Sequence, residues 1–451
     1  MPSDPQKVSR VRVINRAYTA LDAATPGGIG AALAADPVLS NATRFALKCG
    51  EHTWGKDVKS NLFDNSDWKN ADFERARSSP NRSLAGQYGT LESSWWEQRH
   101  WCVTTFMETL LAAKHPFADG IIAEFEELQP SPPSDLSGYQ PGKADEVFQC
   151  GSMQIGFDSA GAIGHLKLGN GVVWASAARP LMQLKYRSYS MADVQDFLKG
   201  YCGTKWNSSW LQHDYGKPGL PADVEGKFWS PSLQELHVKR SIGAKWQSPQ
   251  SGKGAGTECS FLLRTSFEAV PSEDYGAAAG WTAVEVDPVA QRINISIDMF
   301  NKSTTRLPEA MFVQLLPAPA NVSWEVNKLG TWVGANDVVS GGSKHLHGIT
   351  EPSAVRMVSG NDQLVVGATD AAVVNFGEMT AYPSPVNKNV STEADGASFL
   401  LWDNLWGTNY VMWWPFKPAP PTYSASGRFF PASSNHDMVS RYSIVASSTG
   451  A

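Results

Sequence analysis

The chain has 451 residues, 42% hydrophobic and 18% charged, with a formal net charge of −6. Its length predicts two or three domains, and its composition excludes a disordered chain. An acidic balance without a basic tract excludes a nucleic-acid binder, which needs clustered Lys and Arg to displace counterions. No apolar run approaches the roughly 18 residues of a membrane span, and the opening MPSDPQKVSRVRVINR lacks the apolar core of a signal peptide. The chain therefore reads as soluble, with its compartment open.

Residues 1–128 read as a small helical bundle. Ser3 and Gln6 form a capping-box pattern with Pro5 in the first turn. Val8, Val11, Ile14, Tyr18 and Leu21 then recur at helical spacing, until TPGGIG ends the segment. Short helices fit SDWKNADFERAR, and Asp64, Asp67 and Asp72 read as a solvated helix face. A long helix is predicted over LESSWWEQRHWCVTTFMETLLAA, with Trp95, Cys102, Phe106, Leu110 and Ala113 along one face. Another fits DGIIAEFEEL. Residues 129–146, rich in Pro, Ser and Gly, read as a linker.

From residue 147 to 451 the period changes to two. RINISIDMF places Ile293, Ile295, Ile297 and Met299 on one face, as a half-buried strand requires. FQCGSMQIGFDSAGAIGHLKL reads as two strands joined by a Gly-containing turn. One helix interrupts at SMADVQDFLKGY, started by Ser190 and Asp193. The predicted class is α+β, a helical bundle followed by a large antiparallel β-sandwich.

Cys49, Cys102, Cys150, Cys202 and Cys259 lack close spacing and read as mostly buried thiols, giving neither a disulfide framework nor a zinc finger. Sequons at Asn41, Asn207, Asn294, Asn301, Asn321 and Asn389 matter only in a secreted chain. The 17 Trp are an unusual load. Their flat apolar faces suit sugar rings, and aromatic packing of a large β core is the alternative.

Five stretches, GEHTWGKD, SSWWEQRHW, DYGKPGL, SGGSKHLHGI and LWDNLWGTNYVMWW, in that order, resemble segments of a little-characterised group related to the family 38 glycoside hydrolases, the zinc-dependent α-mannosidases. The resemblance implies a catalytic β/α barrel, then a helical bundle, then a galactose-mutarotase-like β-sandwich. The barrel is expected upstream, and the chain as given holds only the last two parts. Retaining hydrolysis needs a nucleophilic carboxylate and an acid/base carboxyl about 5 Å apart. In this family zinc binds the sugar hydroxyls as well. No catalytic residue is therefore assigned in this chain.

By the same resemblance, His52 of GEHTWG is the last zinc ligand, oriented by Glu51 and Asp57. Zinc is expected only if the missing barrel supplies the remaining ligands. Carbohydrate contacts are expected from Trp54, Asp57, Trp96, Arg99, His345, His347, Trp406 and Trp413. Adjacent Trp95 and Trp96 point about 100° apart on a helix, so one is expected in the core and the other at a cleft edge. His345 and His347 share one face of a strand, with simple packing as the alternative reading. The partner is a carbohydrate, with neither nucleic acid nor membrane. The bundle face that would meet the barrel is a further docking surface. The competing function is a non-catalytic carbohydrate-binding or interaction module.

Overall fold

The computed structural model describes residues 4–50, 62, 65–78, 82–240, 259–271, 274–339, 342, 344–350, 353–382, 390–405, 429–430 and 437–448. Helices come first in the chain. They span Pro5–Ala24, Gly28–Ala35, Pro37–Leu47, Asn70–Ser78, Arg82–Arg99, Thr105–Ala112 and Phe117–Glu127. Asp4, not Ser3, caps the first helix, its carboxylate accepting from the Lys7 amide at 3.1 Å. Asp36 caps the third in the same way through Leu39. Each cap satisfies an amide that the first helical turn leaves without a partner.

Of the apolar stripe its spacing predicts, the first helix fully buries only Ile14, while Val11, Tyr18 and Leu21 pack against the core's edge. Val8, Val11, Tyr18 and Leu21 are only half-buried, whereas Gln6, Ser9, Arg10 and Arg12 are buried. The cause is position, because this helix lies against the strands, whose loop carbonyls need donors. Arg12 donates to Thr369 O at 2.9 Å and Ala368 O at 2.8 Å, and Gln6 to Asp437 O at 2.8 Å. From the strand side, Arg441 answers with Asp370 and Glu127, each at 2.8 Å.

The predicted long helix is interrupted. Arg82–Arg99 passes through a π-helical turn, His100–Thr104, into Thr105–Ala112. Trp95, Cys102, Phe106 and Leu110 stay on the buried side, while Ala113 is exposed. A π turn inserts one residue and rotates the helix beyond it. Here it turns Trp101 outward, stacked at 5.9 Å on Phe45. Trp95 and Trp96 are both buried, correcting the expectation of one inside and one out. The helix is covered on two sides, and Trp96 meets Phe430 edge-on at 6.5 Å.

The strands form three antiparallel sheets. The largest runs, neighbour by neighbour, through Gln140–Pro141, Ser232–Arg240, Cys259–Ser266, Ala279–Asp287, Arg292–Phe300, Met438–Ser448, Asp362–Ala368, Val355–Ser359, Ser323–Lys328 and Thr331–Gly334. The second runs through Leu346–Gly348, Val373–Phe376, Ala397–Asn404, Glu309–Leu315, Gln183–Ser188 and Lys227–Trp229. Phe399–Tyr442 at 5.3 Å and Trp324–Phe376 at 6.0 Å bring these two into contact. Ile293, Ile295, Ile297 and Met299 alternate inward as predicted. The third sheet holds Val147–Cys150, Met153–Phe157, Ile163–Lys167 and Val173–Ala175. The stretch read as two strands thus makes three, with turns at Gly151 and at Asp158–Ala162.

One apolar core runs from Val13 and Trp95 through Phe261 to Ile444, so helices and strands share it. Two disulfides, Cys49–Cys102 and Cys150–Cys259, overturn the reading of five thiols, and Cys202 alone is free among the cysteines. Wide spacing misled because each bridge closes a long loop whose ends only tertiary folding brings together. Asp67 is also corrected. It is buried against Arg306 and the Tyr88 hydroxyl, not solvated. Among the described residues no helix is long and apolar enough to cross a membrane.

Candidate functional site

The helix Met191–Cys202 begins in a capping box, Ser190 with Asp193, as its sequence predicts. Its inner face, Val194 and Leu198, packs on Ala310, Phe312 and Leu400 of the second sheet. A bulge shapes that sheet. Met311 pairs with Trp402 but Phe312 with Leu400, leaving Leu401 unpaired. The slip puts Asp403, opposite Ala310, on the face the helix covers. Trp402 turns to the main core.

Burial pushes the Asp403 carboxyl up to about 7, since an ionised carboxylate is poorly solvated there. Its charge reaches Tyr189 and Tyr382, whose hydroxyls burial already raises, Tyr189 to about 12. Tyr189 accepts from the Ala381 amide at 2.9 Å. The hydroxyl of Tyr382 is buried with no hydrogen-bond partner among the described residues.

Aromatic rings lead outward from this point. Tyr382 stacks on Phe197 at 4.5 Å and 22°, and Phe197 on Tyr201 at 5.4 Å and 23°. Tyr201 is 48% exposed, so the ladder ends on a ring open to solvent. Beside it, Arg187 lies between Tyr189 and Phe228, 4.6 Å from each ring centre. It donates to Met379 O at 2.6 Å and Asp193 at 3.2 Å, while its Nε is buried without a partner among the described residues. Flat apolar faces thus surround a donor, a hydroxyl and a carboxyl.

A separate cleft of about 500 Å³ is lined by Arg179, Asn321, Ser323, Trp324, Thr392 and Glu393, with a wall at Pro317–Ala320. Arg179 is held there by its Nε donating to Pro317 O at 2.7 Å. In the DYGKPGL stretch, Lys217 is buried and donates to Tyr215 O at 2.9 Å. Burial first, and then the nearby Arg306 charge, lower its pKa to about 7.

The residues singled out from sequence fall in several places. His52, Trp54, Asp57, Trp406 and Trp413 lie outside the described residues. Cys49, three residues before His52, is bonded to Cys102 in the π turn, which anchors that end of the segment. Arg99 is fully buried in a bidentate pair with Asp4, Nε and Nη2 each at 2.8 Å, and 5.2 Å from the Trp96 ring. His345 and His347 are both buried, and of the two only His347 lies within a strand, Leu346–Gly348. Their Nε2 atoms lie 3.2 Å from the carbonyls of Glu378 and Lys344, so each carries the proton there. Among the described residues no group of three or more His, Cys, Asp or Glu is placed to hold a metal.

Asp403 lies within the LWDNLWGTNYVMWW stretch that the sequence singled out, whereas Arg187, Tyr189, Phe197 and Tyr382 were missed. The available signal was the strongly capped helix inserted among strands with aromatics on both flanks.

Over residues 1–269, more than half its length, the chain matches the model of a family described as a domain of unknown function, DUF5054. The chain belongs to that family. No curated protein matches it. Among solved structures it is similar to an α-mannosidase from Enterococcus faecalis V583, with TM-score 0.38 and 10% identity over 69% of this chain and 30% of that one. A glycosyl hydrolase family 38 protein from Enterococcus faecalis gives TM-score 0.36 and 9% identity over 69% and 31%. A putative aldose 1-epimerase from Escherichia coli K12 gives TM-score 0.26 and 8% identity over 67% and 98%. The chain spans under a third of the length of the first two structures.

Proposed function

We propose that this protein recognises carbohydrate, using the aromatic ladder over the second sheet. The supporting observation is the ladder itself. Tyr201 offers an open ring face, and behind it stand Tyr382 and Arg187, each with a buried polar atom that has no partner among the described residues, and the Asp403 carboxyl. A sugar presents the complementary mixture, apolar C–H faces flanked by hydroxyls that donate and accept. The resemblance of the five sequence stretches to the mannosidase-related group points to the same ligand class.

No bond-breaking step is assigned to the described residues. Zinc ligation by His52 remains part of the proposal, with the other ligands supplied from a barrel outside this chain. A docking partner at the bundle face would meet Leu47 and Trp101, which are 69% and 37% exposed. Calorimetric titration with a panel of neutral mono- and oligosaccharides tests the reading. Saturable binding to at least one sugar is expected, and heatless titrations across the whole panel would overturn it.

A further inference from the structure

We propose that this protein matures in an oxidising compartment and carries N-linked glycans at Asn207, Asn301 and Asn321. The inference is independent of sugar recognition at the aromatic ladder. It starts from the cysteines. Cys49–Cys102 ties the end of the helix Pro37–Leu47 to the π turn, and Cys150–Cys259 ties the third sheet to the first. Their Cα separations, 5.3 and 5.7 Å, are those of bridged pairs. Four of the five cysteines are consumed in this way. Such bridges persist where thiols are not kept reduced, which is the compartment in which Asn-x-Ser/Thr becomes a glycan acceptor.

The fold then sorts the sequons. Asn207 is exposed in the turn before the helix Ser209–Asp214, with Ser208 and Ser209 also exposed. Asn301 is exposed at φ 54° just after the strand Arg292–Phe300, and Ser303 is exposed two residues on. Asn321 is exposed at φ 57° before the strand Ser323–Lys328, and Ser323 is exposed too. Asn is among the few residue types that tolerate this left-handed backbone. All three asparagines are exposed and lie outside the helices and strands, where a bulky polar adduct interrupts no ladder.

Two other sequons lack this setting. Asn294 is half-buried in mid-strand, paired with Glu285 on one side and Ser443 on the other. Asn41 lies within a helix, and the hydroxyl of its sequon residue Thr43 is engaged with the Tyr18 hydroxyl at 2.5 Å and donates to Leu39 O at 2.7 Å. Asn81 and Asn389 fall outside the described residues and are left unassigned.

The step needs a polyisoprenyl-pyrophosphate-linked oligosaccharide as donor. The Asn amide nitrogen bonds to the anomeric carbon, the carbon–oxygen bond to pyrophosphate breaks, and the amide proton leaves with the released pyrophosphate. Nothing is oxidised or reduced. A glycan on Asn321 would also border the Arg179 cleft, whose lining includes that residue.

The test uses the protein purified from its source. Peptides are mapped by mass spectrometry after peptide-N-glycosidase treatment in heavy-oxygen water, beside thiol alkylation without reduction. Heavy-oxygen Asp is expected at positions 207, 301 and 321 and not at Asn294, with Cys202 the only alkylated cysteine. Occupancy at fewer than two of the three sites, occupancy at Asn294, or alkylation of all five cysteines would overturn the proposal.

Discussion

Arg99 closes a two-pronged ion pair on Asp4, and Asp4 at the same time caps the first helix through the Lys7 amide. One carboxylate therefore serves two helices, through an ion pair between residues 95 positions apart in sequence. Both side chains are out of water. Burial alone would raise the Asp4 carboxyl, but the Arg99 charge and hydrogen bond outweigh it and hold the pKa below its ordinary value.

Removing one partner of such a pair leaves an uncompensated buried charge and costs about 3–5 kcal/mol. Arg99→Met is expected to destabilise by that order in urea unfolding. The double variant Asp4→Asn with Arg99→Met should recover much of the loss, because Asn still caps and no charge is stranded. Because the Asp4 pKa is depressed in the fold, the pair stabilises above the unfolded carboxyl pKa and fades as pH falls through the lower folded value. A single Arg99 variant as stable as wild type at pH 7 would contradict this.

Asp403 has the opposite sign. Its folded pKa, pushed up to about 7, lies above the ordinary value of 3.8. Between those values the unfolded chain has released a proton that the folded chain still holds, so stability falls as pH rises through the window. At about 1.4 kcal/mol per pKa unit the cost reaches up to about 4 kcal/mol above pH 7. Asp403→Asn never ionises. It should match wild type near pH 4 and exceed it at pH 8, read as the difference in urea midpoints. Equal midpoints at pH 8 would remove the buried acid from the account.

These two sites show what the sequence made legible. Period-two spacing fixed the inward set of Arg292–Phe300, and a Ser–x–x–Asp start located the helix Met191–Cys202, because both rest on local rules. The buried face of the first helix was not legible, since Arg10 and Arg12 are buried for the sake of loop carbonyls that sequence alone does not place. The bulge that turns Asp403 toward Tyr382 depends on cross-strand register. The same holds for both disulfides, whose partners meet only in the finished fold.

Those disulfides carry their own prediction. They close loops of 53 and 109 residues, and the chain-entropy model gives roughly 4 and 5 kcal/mol respectively through restriction of the unfolded chain. Reduction under native conditions should lower the urea midpoint substantially, and Cys202→Ser should leave it nearly unchanged. A midpoint indifferent to reductant would mean that the bridges contribute little.

The central claim is that the ladder ending at Tyr201 receives a sugar. Its most direct test is calorimetric titration of wild type and Tyr201→Ala with the panel sugar that binds best. Loss of one stacking face is worth about 0.5–1.5 kcal/mol. Saturable binding in wild type, weakened roughly threefold to tenfold in the variant with its fold intact, is the expected result. Equal affinity in the two proteins would place the sugar elsewhere and contradict the account.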